Sequence, residues 1–299
     1  MLYFLSLLAG ALVSLAIVFN GGLSQHYGLY LATVIIHVVG LIFIAVLVFI
    51  KKNKIRHKMQ PWYFYIGGFL GVIIVLFTNA AFSRISVSAI LALGLLGQCI
   101  GGIIFDQYGL LGMPKTPFTK KKLFGITLII MGIVPMINSF EIIAVLISFG
   151  AGLLVLVART LNANLSEVTS VQTSTFYNYV IGLIGAIVAL LLLGRGDIGS
   201  FSFDLSVSAN HWHLYLGGVV GVVFVSIVNF SVKKITAFYL TLLMFTGQIF
   251  TGIILDVILT GEFAMRNLIG GTLVALGLCV DLILDSKQVK NTNKAKDAK

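Results

Sequence analysis

Apolar runs of about twenty residues recur along the whole chain, and each is long enough to cross a hydrocarbon core of about 30 Å as a helix. Within lipid, every backbone N–H and C=O group must be paired inside the protein, so an isolated apolar run of this length forms an α-helix. Only 10% of the residues are charged, against about 25% in soluble domains. We therefore expect an all-α integral membrane protein.

The apolar runs predict ten transmembrane helices. Their approximate bounds are 3–20, 28–50, 62–82, 87–105, 122–138, 142–160, 172–193, 213–231, 236–258 and 266–285. Lysine-rich segments at 51–58 and 115–122 join some of them. We expect a first five-helix unit at residues 1–140, a second at 141–285, and a basic cytoplasmic tail at 286–299.

The two predicted units share a sequence pattern. The stretch 94–106 recurs at 244–256 with Gly, Gln, Gly, Ile, Ile and Asp in the same order. Earlier in each half the offset is 142 residues, so that Asn20 matches Asn162. Each unit has five spans, an odd number, and the second unit should therefore be inverted relative to the first. Inverted repeats are typical of secondary transporters, whose substrate site lies at the midplane between the halves.

Basic residues are concentrated on one side of the predicted topology. The side that carries the tail holds 17 lysines and arginines, with Arg159 among them, and the other side holds three: Arg84, Arg195 and Arg266. The positive-inside rule then predicts that both termini are cytoplasmic, in the cell membrane. The bases lie in short loops and the tail rather than on a folded polar face, which argues against a nucleic-acid partner.

The sequence contains no catalytic motif that we recognise. No carboxylate, lysine or arginine lies near the middle of a predicted span, and we find no Ser/His/Asp or His-x-x-Glu-His arrangement. A Walker-type Gly-Lys-Ser/Thr loop is missing too. Cys99 and Cys279 lie inside apolar spans, where small buried side chains are expected rather than a metal pair. We expect no enzyme activity, no metal and no cofactor.

Polar side chains inside the spans are the candidates for a binding site. A glutamine in hydrocarbon is costly unless it is hydrogen-bonded, and two glutamines at matched positions indicate one central site. The candidate substrate-binding residues are Gln98, Gln248, Asn20, Asn162, Tyr177 and Tyr179. The alternative for each is a hydrogen bond between helices, with no role in binding.

Three ionisable residues are candidates for coupling or for the mouths of a pathway: His37, Asp106 and Asp256. His37 lies deep in a span and titrates near neutrality, so it could couple transport to protons. A packed, hydrogen-bonded histidine is the favoured alternative. Each aspartate either attracts solute at a mouth or is an interfacial acid with a local partner.

The chain resembles the drug/metabolite transporter superfamily, and most closely its YdcZ-like family. The motifs that carry the resemblance are Asn20-Gly21, Trp62-x-x-Tyr65-x-Gly67-Gly68, Gly97-Gln98 and Asp106-x-x-Gly109-Leu-Leu-Gly112-x-Pro114. The resemblance extends to about residue 285 and implies a ten-helix carrier made of two fused units. The second unit lacks the Gly-Leu-Leu-Gly-x-Pro loop after Asp256.

The leading functional hypothesis is a secondary active transporter that moves a small polar or amphipathic metabolite by alternating access. A multidrug or organic-cation exporter is a rival, disfavoured because no mid-membrane carboxylate is available to hold a cation. A non-transporting membrane assembly subunit is the alternative from another class. The expected partners are a small-molecule substrate and the lipid bilayer, and a homodimer is one possible assembly.

Overall fold

The computed structural model describes residues 1–50, 60–110, 119–120, 122–137, 141–199, 211–231, 234–235 and 237–297, with the backbone alone at 199, 237–238 and 285–297. These residues form helices and turns and contain no strand. The principal helices are α1 (Leu2–Tyr27), α2 (Leu29–Ile50), α3 (Ile66–Phe82), α4 (Val87–Tyr108), α5 (Lys122–Ile133), α6 (Ile142–Val168), α7 (Val171–Leu193), α8 (Leu216–Ser231), α9 (Ala237–Thr260) and α10 (Met265–Asp297).

The predicted all-α membrane architecture is confirmed. Within the described ranges, nine helices are long and apolar enough to cross a membrane. The predicted fifth span is shorter than expected: α5 ends at Ile133 and continues only as a 3-10 turn, Val134–Met136. Pro135 lies in that turn, and because proline lacks a backbone N–H and clashes with the preceding turn, it ends the helix there.

Serine residues begin two of the helices. The Ser86 hydroxyl accepts a hydrogen bond from the Ala89 amide at the start of α4, and the Ser170 hydroxyl accepts one from Thr173 at the start of α7. Such caps satisfy N–H groups that have no partner within the helix. Gly109 ends α4 in the left-handed conformation, with φ of 66°, which glycine adopts without steric cost.

The helices pair reciprocally between the two halves. Helix α1 packs against α8 and α9, and α6 packs in the same way against α3 and α4. Three further pairs join equivalent helices of the two halves: α2 with α7, α4 with α9, and α5 with α10. This pattern is unchanged when each helix of one half is exchanged with its counterpart in the other. The inverted orientation of the two units in the membrane stays a prediction.

Glycines set the separation of the paired helices. A methyl group added to Gly152 in α6 would lie 1.9 Å from the carbonyl oxygen of Gly94 in α4. In the other half, a methyl group on Gly10 in α1 would lie 1.9 Å from the carbonyl oxygen of Met244 in α9. Close backbone approach of this kind is how small residues drive helix association in lipid. Gly10 and Gly152 differ by the 142 residues that the sequence repeat predicts.

Helices α5 and α10 form a second glycine-lined contact. Gly125 approaches Gly277, and Gly132 approaches Gly270. The first unit thus carries glycines seven residues apart in α5, and the second carries the same spacing in α10. These two helices lie beside the main bundle, where α10 also contacts α9.

Several predicted polar segments lie outside the described residues. These are the basic linker at 51–58, the Gly-Leu-Leu-Gly-x-Pro loop beyond Leu110, most of the segment 115–122, and Lys233. The last predicted span is longer than expected, because α10 continues as a helix through Asp297, within the basic tail.

Candidate functional site

A cavity of about 240 Å³ lies between the two halves of the molecule. Its wall comes from α1 to α4 of the first unit and α6 to α9 of the second, and no described side chain of α5 or α10 lines it. The lining is mostly apolar and includes a limited set of polar side chains: Asn20, His37, Thr78, Gln98, Ser148, Arg159, Asn162, Asn178, Tyr179, Asn229 and Gln248. Apolar walls with a few placed polar groups are the usual form of a small-molecule site.

Gln98 holds the strongest polar contact in this wall. Its side-chain oxygen Oε1 accepts a hydrogen bond from Nη2 of Arg159 at 2.9 Å. Its Nε2 group donates to the carbonyl oxygen of Gly94, one turn earlier in α4, at 3.3 Å. Hydrogen bonds from a charged donor are shorter and stronger than neutral ones. Gln98 therefore fixes a guanidinium group at the edge of the cavity.

Gln248 occupies the equivalent position in α9 without an equivalent partner. Its side chain is 7% exposed and borders the same cavity. The hydroxyl of Ser14 donates to its backbone carbonyl at 2.8 Å, which ties α9 to α1. No hydrogen bond joins its side-chain amide to another described residue, so its donors and acceptor are available to a solute.

Asn20 and Asn162 line the cavity at matched positions in α1 and α6. Their side-chain oxygens lie against two glycines, Asn20 against Gly217 and Asn162 against Gly67. Asn162 also donates from Nδ2 to Oδ1 of Asn178 at 2.9 Å. Asn162 therefore links α6 to α7 as well as facing the cavity, whereas the buried side-chain oxygen of Asn20 has no hydrogen-bond partner among the described residues.

His37 and Tyr179 face each other across the contact of α2 with α7. Their ring centroids are 5.9 Å apart, and each ring fills the space left by a glycine of the other helix, Gly182 for His37 and Gly40 for Tyr179. The Nδ1 group of His37 donates to the carbonyl oxygen of Thr33 at 2.8 Å. Tyr179 is buried and its hydroxyl donates to the carbonyl oxygen of Gly218 at 3.3 Å. His37 is thus a packed, hydrogen-bonded histidine at the cavity wall.

Tyr177, Asp106 and Asp256 do not line the cavity. The ring of Tyr177 packs edge-on against Tyr65, with centroids 5.2 Å apart. Asp106 is half-buried near the C-terminal end of α4. The structure thus brings six of the nine predicted site residues to one cavity and leaves these three outside it.

Asp256 caps the start of another helix. Its carboxylate accepts hydrogen bonds from the backbone amides of Val87 at 2.7 Å and Ser88 at 3.1 Å, and from the Ser88 hydroxyl at 2.5 Å. The side-chain amide of Asn267 adds a longer contact at 3.4 Å. A carboxylate at a helix N-terminus satisfies unpaired amides and interacts favourably with the helix dipole. The buried carboxylate thus links α9 and α10 to α4.

Arg159 is a cavity residue that the sequence prediction assigned to a cytoplasmic loop. Helix α6 continues to Val168, beyond the predicted end near residue 160, so Arg159 lies inside the helix and lines the cavity. The repeat gave no signal for this placement, because the matching first span was itself predicted to end at residue 20, whereas α1 continues to Tyr27.

The lining includes no aspartate or glutamate among the described residues. Arg84 and Glu141 form an exposed ion pair at 3.3 Å, between the start of α6 and the end of α3. The cavity therefore presents amide, hydroxyl and guanidinium groups against apolar walls, and these groups can hydrogen-bond a solute but carry no negative charge.

Comparison with known proteins gives one family. A family model described as "Putative inner membrane exporter, YdcZ" matches the chain twice, over residues 1–135 and 143–280. No curated protein matches the chain at a significant level. A solved structure described only as "Crystal structure of protein" is similar with a TM-score of 0.63 over 96% of each chain, at 15% sequence identity. That similarity concerns the fold alone.

The two matches to the family model fall on the two halves whose helices pair reciprocally. Together they cover nearly all of the membrane-spanning residues. The chain is therefore a multi-pass membrane protein of the YdcZ family of exporters, in the drug/metabolite transporter superfamily, with two family units fused.

Proposed function

We propose that this protein is a secondary active transporter that exports a small amphipathic metabolite by alternating access. The observation that carries the proposal is a cavity lined by both halves, with Gln98 and Gln248 at equivalent positions in its wall. The family's description as an exporter supports transport and its outward direction. Since the sequence has no nucleotide-binding loop, an ion or solute gradient would drive the cycle.

The helix contacts are suited to such a cycle. The two halves meet largely through glycine-lined contacts such as α1 with α9 and α4 with α6. Smooth, close contacts of small residues let packed helices rock or slide with few side-chain rearrangements. Alternating access in transporters built from repeats is largely a rocking of one bundle against the other around a fixed site.

We also propose that both termini are cytoplasmic. Moving Arg159 into α6 leaves 16 lysines and arginines on the side of the tail against three on the opposite side. The positive-inside rule still favours that orientation. Arg84 and Glu141 then form their ion pair on the external side.

Gly71 provides a direct test of the cavity. It lines the cavity in α3, and a methyl group added to it would meet no atom within 4 Å. Gly71→Leu should therefore place a bulky side chain in the cavity, and should abolish counterflow of solutes in proteoliposomes. Gly102→Leu is the matched control, since Gly102 also has open space around it but does not line the cavity.

Counterflow is measured with a broad panel of labelled organic acids, amino acids, amines and sugars. We expect Gly102→Leu to transport like the parent while Gly71→Leu does not, with both variants monodisperse in detergent. The transport proposal fails if no solute of the panel crosses through the folded parent protein. It also fails if Gly71→Leu carries solute at the parental rate, because the cavity would then be off the pathway.

The rival function as an organic-cation exporter has less support. Its substrate would have to lie beside Arg159 in a lining that offers no described carboxylate. Like charges in a low-dielectric site repel strongly.

A further inference from the structure

The guanidinium group of Arg159 lies in the wall of the central cavity, and no described residue provides a counter-ion for it. Its hydrogen bond to Gln98 is to a neutral amide, and no carboxylate of a described residue lies within 4 Å of it. It lies nine residues before the end of α6, about 14 Å along the helix axis, in a helix long and apolar enough to cross a membrane. An ionisable residue within a membrane-spanning helix is costly and points to a functional site.

The positive charge of Arg159 has no equivalent in the first half of the chain. Ile17 occupies the position in the first half that Arg159 occupies in the second, at the offset of 142. Ile36 likewise stands where the second half has Asn178. All four residues line the cavity, so at these two positions α6 and α7 present polar side chains where α1 and α2 present isoleucines.

The geometry points to a solute with one anionic end and one apolar end. We propose that the cavity binds a small organic anion, whose acidic group pairs with Arg159 and hydrogen-bonds Gln98, and whose apolar body lies against Ile17 and Ile36. Arginine presents a planar set of donors that fits carboxylates and related anions better than a lysine does. The cavity volume of about 240 Å³ lies below the range of about 300–1,000 Å³ typical of drug-sized ligands, which favours a compact metabolite.

This inference rests on the proposed transport function for its meaning, but its test is a binding measurement. The purified protein is placed in nanodiscs of phosphatidylcholine, so that no anionic lipid competes for the cavity. Four anions serve as probes: benzoate, hexanoate, benzenesulfonate and phenyl phosphate. Benzamide and benzylammonium are the neutral and cationic counterparts of benzoate. Calorimetric titration gives the dissociation constants, and a thermal shift gives an independent readout.

We expect at least one anion to bind saturably, and benzamide and benzylammonium to bind far more weakly. Arg159→Gln should weaken that anion's affinity by about 10- to 100-fold, the usual effect of losing a charged hydrogen bond. Arg159→Lys should fall between the parent and Arg159→Gln, since it keeps the charge but loses the planar donors. Arg84→Gln is the matched control, because Arg84 is exposed and lies outside the cavity.

Charge selectivity of the parent protein tests the proposal even if Arg159→Gln does not fold. The proposal is overturned if none of the four anions binds, if benzamide or benzylammonium binds as tightly as benzoate, or if Arg159→Gln binds anions like the parent. Counterflow separates this failure from failure of transport: a neutral or cationic solute carried through the cavity would refute the anion site and leave the carrier. If anions bind to the parent and not to Arg159→Gln, but no solute shows counterflow, the anion site stands and the transport proposal fails.

Discussion

Gly152 is a position at which a single methyl group should disturb the helix packing strongly. Helices α6 and α4 approach so closely there that an added Cβ atom would lie 1.9 Å from the carbonyl oxygen of Gly94. A carbon–oxygen contact normally spans about 3.3 Å, so Gly152→Ala must push the helices apart by about 1.4 Å. A gap of 0.5–1 Å already forfeits roughly a quarter to a half of the dispersion energy of the atoms beside it.

The predicted cost is large enough to measure. Overpacking of a close contact destabilises a protein by about 1–3 kcal/mol. At Gly102 in α4, where an added methyl group meets nothing within 4 Å, Gly→Ala should instead stabilise the helix by about 0.5–1 kcal/mol. The two alanine variants should thus shift the free energy of unfolding in opposite directions, with a total difference of about 1.5–4 kcal/mol.

Unfolding in mixed micelles of increasing SDS fraction, followed by circular dichroism, measures both variants against the parent. Gly10→Ala provides the third arm, because Gly10 approaches the Met244 carbonyl in α9 as closely as Gly152 approaches Gly94. We expect Gly10→Ala to resemble Gly152→Ala. If Gly152→Ala and Gly102→Ala unfold at the same SDS fraction, the close approach of α4 and α6 is refuted, and the reciprocal pairing of the halves loses its main support.

Three further predictions concern the acids, the amides and the orientation. Asp256→Ala should lower the free energy of unfolding by about 1–3 kcal/mol, because buried amides at the start of α4 lose their acceptor. Counterflow per folded molecule should stay at the parental value. An altered solute affinity in calorimetry would instead make Asp256 a pathway acid. Gln98→Ala should weaken anion affinity more than Gln248→Ala, because among the described residues only Gln98 is hydrogen-bonded to the Arg159 guanidinium. Equal losses of affinity in the two variants would contradict that distinction. An impermeant maleimide added to intact cells should label His211→Cys and not Lys120→Cys, and the reverse pattern would show that the proposed orientation is inverted.

The helical architecture could be predicted from the sequence because lipid leaves the backbone few choices. Apolar runs of sufficient length must be helices in a bilayer, and nine of the described helices fit that rule. The exception, α5, depends on Pro135, whose effect on helix length is local and could have been predicted. The glycine spacing shared by α5 and α10 was missed, because the offset between the repeats changes to 145 residues after Asp256.

The candidate site could be predicted only in part. The glutamines at positions 98 and 248 were predicted to meet because the repeat placed them at equivalent positions, and both border the cavity. Asp256 was ambiguous, since its partners are backbone amides of α4, and backbone groups leave no mark in a sequence. Arg159 was misplaced because the predicted span ended near residue 160 and Arg159 was counted with the loop that follows, although a long helix can carry an arginine that faces a cavity rather than lipid.

The departures from the repeat carry as much information as the repeat itself. Positions that keep the same residue type in both halves, such as Gly10 and Gly152, set the distance between helices. Positions that differ at the cavity wall, such as Ile17 and Arg159, change the chemical groups that the wall offers to a solute. If the two units exchange conformations during transport, equal packing in both halves keeps the inward and outward states close in energy, because each state then makes the same contacts with the halves interchanged. A solute that contacts Arg159 differently in the two states would shift the equilibrium by the difference in its affinity for them. We infer that selectivity depends on the cavity positions that differ between the two halves, above all Arg159. The glycines that match between the halves keep the two conformations close in energy, so that a solute bound at Arg159 can shift the equilibrium between them.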